Sequence, residues 1–307
     1  MKQSDNGAKH VLSSKIAVTT GDRIFYFINN LILVFVIIAV VTPIINVIAN
    51  AFSSGDAVAS GKVTFWPVDF SLEGFRAVFK DPYIIKGYGN TIFYTVVGTT
   101  INVLMTIVAA YPLSRHDLPG RGTLTMVFAF TMLFNGGMIP NYLLMKDLGI
   151  LNTRWVMLIP GAISVYNMII CRTFFATQLP RELREAAQVD GCSEFRYFIS
   201  IALPLSKAVI AVIALYYAVA HWNQYFNAFL YLSDKNIFPL QLILRDILIA
   251  NTVDASSIID ADMLVNLNLI ETLKYSLILV ACVPIWCVYP FVQKYFVQGV
   301  MIGAIKG

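Results

Sequence analysis

Two groups of residues in this 307-residue chain have types and spacings that can do chemistry. The first is Arg181-Glu182-Leu183-Arg184-Glu185-Ala186-Ala187-Gln188-Val189-Asp190-Gly191, a charged run of strong helix formers stopped by a glycine. Pro180 stands near its start, Glu182 and Glu185 suit the positive end of a helix dipole, and Gly191 can take a left-handed turn. A second helical run from 193 to 203 meets Pro204, so a helix, a turn and another helix are expected. The second group is His221-Trp222-Asn223-Gln224-Tyr225-Phe226-Asn227, which sets planar hydrogen-bonding groups beside aromatic faces, the combination that holds sugars. Asn102, Asn135, Asn141 and Asn167 are further polar residues inside apolar runs. Each isolated Asn reads first as glue between helices, and for the cluster at 223–227 glue and ligand binding both stay open. His221 reads as a packing or interfacial residue, and Gly136 and Gly137 as a bend or a close contact between helices.

Enzyme chemistry finds little support. Three histidines make a poor general-base inventory, and no nucleophile, base and acid are grouped by motif. Cys171, Cys192, Cys282 and Cys287 show no CxxC spacing, so neither zinc nor a disulfide framework is indicated. No GxxxxGK[ST] phosphate loop occurs, so no cofactor is expected on this chain.

The elements that carry these groups must lie in lipid. Hydrophobic residues make up 58% of the chain and charged residues 13%, against about 45–50% and about 25% in soluble domains. With a mean hydropathy of +0.70, that composition excludes disordered, collagenous and disulfide-rich secreted classes. Six charge-free runs, 24–55, 87–114, 122–145, 155–171, 208–233 and 275–293, each approach or exceed the roughly 20 residues a spanning helix needs. The expected fold is an all-α polytopic membrane protein with six transmembrane helices. Ala49-Asn50-Ala51 has the pattern of a signal-peptidase site, but the apolar run before it exceeds the roughly 7–15 residues of a secretory core, which favours a retained anchor. Pro43, Pro112, Pro140, Pro160 and Pro284 are expected to kink or end helices.

Placing the amino terminus in the cytoplasm puts 13 of the 22 basic residues inside with 7 acidic ones, net +6, and leaves the outside at −2. Both termini are then cytoplasmic, in keeping with the positive-inside rule. The thin scatter of Lys and Arg argues against nucleic acid as a partner. Two long outer segments, 50–86 and 234–274, and one inner segment, 172–207, join the spans. Leu240 to Ile249 around Arg245 and Asp246 predict a short amphipathic helix on the outer face.

Glu185-Ala186-Ala187, three residues, Gly191, nine residues, then Ile201, Leu203 and Pro204 resemble the EAA loop of ABC-importer permeases without a gap. The carboxyl end, from Gln293-Lys294-Tyr295-Phe296-Val297-Gln298-Gly299 to Ala304-Ile305-Lys306-Gly307, is similar to that of MalG-like carbohydrate permeases. So are Trp222-Asn223 and the stretch 135–175. The likeness covers most of the chain from about residue 24. It lies nearest the branch associated with complex oligosaccharides such as pectic fragments, although an acidic sugar would want basic groups in the path and the charge-free runs hold none.

The resemblance implies a type I ABC importer permease (MetI-like) fold. It divides the chain into a cytoplasmic segment 1–23, a six-helix domain 24–298 with the coupling loop at about 176–205, and a cytoplasmic tail 299–307. Glu182, Glu185, Ala186, Ala187, Asp190, Gly191, Ile201, Leu203 and Pro204 would couple the bundle to a separate ATPase, which holds the ATP and Mg. Small Ala186 and Ala187 would permit close approach, Glu185 charged contacts, and Gly191 would set the elbow. Trp222, Asn223, Gln224, Tyr225, Asn227, Asn135, Asn141 and Asn167 are the candidates for the sugar path. The implied partners are a second, different permease, two ATP-binding subunits and an extracytoplasmic sugar-binding protein, around a multi-pass chain in the lipid of a bacterial cytoplasmic membrane. The implied work is alternating access, in which the nucleotide states bias a bistable bundle by about 5.5 kcal/mol for nearly complete switching. An ABC permease for another solute and a six-span intramembrane enzyme are the competing classes; the coupling loop speaks against the enzyme.

Overall fold

The computed structural model describes residues 19–254 and 261–304. The expectations for 1–18 and 305–307 lie outside the described residues. Those described form only helices and irregular connections. In order they are α1 (Thr20–Ala51), α2 (Gly55–Ala59), α3 (Glu73–Lys80), α4 (Pro82–Ser114), α5 (Arg121–Leu133), α6 (Met138–Asp147), α7 (Val165–Gln178), α8 (Arg181–Val189), α9 (Glu194–Leu205), α10 (Lys207–Trp222), α11 (Phe226–Tyr231), α12 (Leu240–Asp254) and α13 (Ala261–Ala304).

Apolar composition makes α1, α4 and residues 270–290 of α13 long enough to cross a membrane unbroken. The third and fourth runs depart from the expected single helices. The third is α5 and α6, bent by 110° at 134–137, where Gly136 and Gly137 carry no side chain to hold a helical turn. In the fourth, a 3-10 turn at Arg154–Met157 is followed by irregular backbone until Ser164 caps α7 by accepting from Asn167 N–H. Pro160 and Gly161 explain the break: one lacks a donor and the other takes φ +77°. The fifth run is α10 and α11 with an interruption at 223–225, and α9 meets α10 at 78°.

α4 is the axis of the bundle, packed against α7, α10 and α12. Ile107, Ala110, Met168, Cys171, Phe175 and Ile213 fill the core between the first three. The amphipathic helix expected on the outer face is α12, and its apolar side is packed into the bundle instead of lying along the surface. Leu240 and Leu242 are fully enclosed, and the Leu240 N–H donates to Thr91 Oγ1 at 2.8 Å. The Ala49-Asn50-Ala51 pattern ends α1 in a buried seat, where the Ala51 carbonyl accepts from Ser276 Oγ.

Candidate functional site

One end of the bundle gathers the residues expected to form the coupling loop. α8 and α9 form the expected helix, turn and helix, and the turn closes as the residues dictate. Gly191 has φ +75°, its N–H donates to the Gln188 carbonyl at 3.0 Å, and the Cys192 N–H donates to Ala187 at 2.9 Å. The motif divides by face. Ala187 is buried, and Ile201 and Leu203 pack on the core of α4, α7 and α10. Glu182, Glu185, Ala186, Asp190, Gly191 and Pro204 stay exposed, and the two glutamates have no partner among the described residues. Leu183, Val189 and Phe195 add apolar surface, with Val189 89% exposed. α9 passes Pro204, which has no N–H to give, through one wide π turn at Phe198–Ala202.

A ring of charges anchors this elbow to the end of α4. Arg115 pairs with Asp117 and with Glu194 Oε2 at 2.8 Å, while Arg184 reaches Asp117 Oδ2 at 2.9 Å and Glu194 Oε1 at 2.7 Å. Gln188 also donates to Glu194, at 2.9 Å. Arg172 Nε ties α7 to the Leu113 carbonyl at 2.9 Å. Hydrogen bonds from Arg115 and then Arg184 hold the Asp117 carboxyl well below the usual carboxylate range. A cavity of about 370 Å³ lies behind the ring, lined by Tyr111, Phe175, Arg181 and Glu185 among others. Sequence reasoning used these arginines only for orientation and missed the ring. The signal it had was the alternation of sign along 115–117 and 181–194.

The polar candidates for a path fall into three interruptions. Asn135 stands in the bend between α5 and α6, where Oδ1 accepts from Gly137 N–H at 2.9 Å and from Asn141 Nδ2 at 3.4 Å. Asn167 is buried in the first turn of α7, just after the irregular backbone at 158–164. Asn223, Gln224 and Tyr225 are the third interruption, with Asn223 Nδ2 on the Val219 carbonyl at 2.9 Å and Tyr225 exposed. Asn227 is half-buried in α11. From the charged end, α5, α7 and α10 run 13, 14 and 16 residues before their interruptions. At 1.5 Å per residue, all three breaks stand about 20–24 Å from that end.

Trp222 is set apart from this group. Its ring is buried, and its Nε1–H donates to the Ala281 carbonyl on α13 at 3.1 Å. Trp222→Phe should remove this hydrogen bond between helices at a cost of about 1 kcal/mol, lowering the thermal midpoint of the purified protein without changing the half-saturating substrate concentration. A shifted half-saturation at unchanged thermal stability would return the indole to the path.

No family model matches the chain. It is 42% identical over 290 residues to Protein LplC of Bacillus subtilis (strain 168), spanning 94% of this chain and 97% of that one. It is 40% identical over 290 residues to the polygalacturonan/rhamnogalacturonan transport system permease protein YtcP of the same organism, spanning 93% and 99%. Among solved structures it is similar, at 34% identity and a TM-score of 0.81, to a chain of a bacterial ABC transporter involved in the import of the acidic polysaccharide alginate, covering 91% of this chain and 98% of that one. With a helical bundle whose apolar helices match that fold and relatives aligned over almost their whole length, the chain belongs to the permease family of sugar-importing ABC transporters, transport subunits rather than enzymes.

Proposed function

We propose that this subunit forms, with a second and different permease, the path by which an oligosaccharide from an acidic polysaccharide crosses a bacterial cytoplasmic membrane. Two ATP-binding subunits seated on α8 drive it and hold the ATP and Mg, and an extracytoplasmic binding protein delivers the sugar. The observation that carries this reading is the exposed elbow of α8 and α9, clamped to the spanning helices by a closed ring of ion pairs. A short rigid helix held in this way transmits a push; a free loop would absorb it. Both termini lie on the same, cytoplasmic side.

The second permease accounts for α1. From residue 20 to 41 its side chains are exposed all round, with Phe35 70% accessible, and it meets the rest of the chain only near its last turns. The path reading rests on the three breaks. Irregular backbone at membrane depth is tolerated only inside protein or beside water, so the exposed backbone at 134–137 and the exposed Asn223 and Tyr225 call for an aqueous lumen.

An acidic sugar is supported by the printed substrates of YtcP and the alginate transporter. Basic groups missing from the charge-free runs stand at their borders. Arg154 Nη2 lies 3.2 Å from Asn90 Oδ1, with its guanidinium 5.1 Å over the Phe93 ring, and Lys86 Nζ bonds Asn236 Oδ1 at 3.0 Å. Proteoliposomes holding the complete importer and its binding protein should take up labelled trigalacturonate with ATP, and a cysteine at Val189 should crosslink to the ATPase. Neutral oligosaccharides carried in preference would overturn the substrate class; absence of the crosslink would overturn the docking.

A further inference from the structure

The break at 158–164 is held from two neighbouring helices. Asn102 on α4, buried, donates its amide hydrogens to the carbonyls of Gly161 at 3.0 Å and Ala162 at 2.9 Å. The Tyr217 hydroxyl on α10 accepts from the Ser164 N–H at 2.9 Å and lies 2.6 Å from Thr106 Oγ1. These bonds satisfy backbone groups that an apolar surrounding would otherwise leave unpaired.

Counting donors then fixes the proton on one nitrogen of His221. Its Nε2 lies 2.7 Å from Asn102 Oδ1. With both Asn102 hydrogens committed to carbonyls, Oδ1 is an acceptor, and Nε2 must carry the proton. Its Nδ1 lies 3.2 Å from Gln224 Oε1, and the two bond either with the ring doubly protonated and Nδ1 donating, or with a neutral ring and the Gln224 amide turned to donate its NH2. Gln224 belongs to the other break, at 223–225. One chain of hydrogen bonds therefore runs from the backbone of the first break, through Asn102 and His221, to the second. Gly98 makes room for it: a Cβ there would stand 2.4 Å from His221 Nε2.

We propose that Asn102 and His221 are positioning residues of transport, a latch that makes the backbone breaks at 158–164 and 223–225 move as one gate. The proposal rests on reading those breaks as the lining of the path. A pair serving packing alone would need volume but no direction, and here the donors of Asn102 and of His221 Nε2 each meet an acceptor in sequence. Without the latch the two segments would respond separately to the ATPase, and hydrolysis would proceed without delivery.

The test uses the complete importer in proteoliposomes, measuring ATP hydrolysed and sugar delivered in the same sample. Asn102→Leu, His221→Leu and Gly98→Ala should keep hydrolysis within about twofold while sugar delivered per ATP falls about tenfold, the factor expected from one buried polar group left unmet. His221→Gln, whose amide can still donate to Asn102 Oδ1, should retain most of the coupling. Unchanged coupling in the leucine variants, equal impairment in the leucine and glutamine variants, or a parallel fall of hydrolysis and delivery in all of them would each overturn the latch. A separate arm tests the underlying reading: with the four native cysteines replaced, Gly161→Cys and Asn223→Cys should react with a membrane-impermeant thiol reagent. Failure to react removes the path reading; reaction together with normal coupling in the leucine variants removes the latch alone.

Discussion

Gly191→Pro should abolish ATP-driven sugar uptake while the subunit still enters the membrane and still copurifies with the proposed second permease. Gly191 has φ +75°, and the proline ring fixes φ near −65°, so the turn between α8 and α9 cannot form as it stands. Proline also removes the N–H that donates to the Gln188 carbonyl. No atom lies within 4 Å of where a Cβ would stand, so the defect is conformational and not steric. That predicts a graded series. Asn, which tolerates the left-handed region, should retain the most uptake, Ala should lose part of it at a cost of about 1 kcal/mol, and Pro should lose all. Uptake into vesicles, set against the amount of inserted subunit on blots, measures the series. Normal transport by the proline variant would mean that the angle of this elbow carries no force.

The legible parts of this architecture are the local ones. The Glu185 to Gly191 register lies within one helical stretch and its stop, so residue types alone predict α8 and its turn, and composition alone predicts lipid. The interruptions were legible only as points: Gly136, Gly137 and Pro160 mark a bend or a helix end, but not how much backbone leaves the helix there. A charge-free run is scored by its apolar content, and Pro160-Gly161 adds or removes little of it, yet those two residues decide that 158–164 leaves the helix. The ring of Arg115, Asp117, Arg184 and Glu194 joins segments up to 79 positions apart, and Asn102 meets His221 across 119. Pairings of that range follow from how α4 lies against its neighbours, and no periodicity encodes it. α12 shows the same division: its amphipathic pattern was visible, but the pattern does not say whether its apolar face meets lipid or, as it does, the buried contacts of Leu240 and Leu242.

Reversing one charge in the ring is expected to uncouple most of the transport, though less completely than a broken elbow. In Glu194→Arg, two attractive pairs become two repulsive ones, and Asp117 alone faces three arginines. The pairs are partly exposed, with side-chain accessibilities from 24% to 49%, so solvent screening limits each to about 0.2–1 kcal/mol. Lost attraction and new repulsion together come to about 2 kcal/mol, enough for a tenfold or greater fall in uptake. Arg184→Glu added to Glu194→Arg should not rescue it, since that ring still holds two repulsive contacts. Reversal of all four residues restores the alternation and should restore most of the uptake, which a simple requirement for particular side chains would not allow. Acidity supplies a second discriminator. The Asp117 carboxyl is held well below its ordinary value near 3.8, so its contribution is complete above that value and fades only as pH falls further, toward the depressed one. Uptake between pH 5 and 8 should therefore show no loss traceable to this carboxylate, and Asp117→Asn should lower uptake by the same factor across that window. A defect in Asp117→Asn that disappears at pH 5 would show that the wild-type carboxylate is already protonated there and that the ring does not hold it ionised.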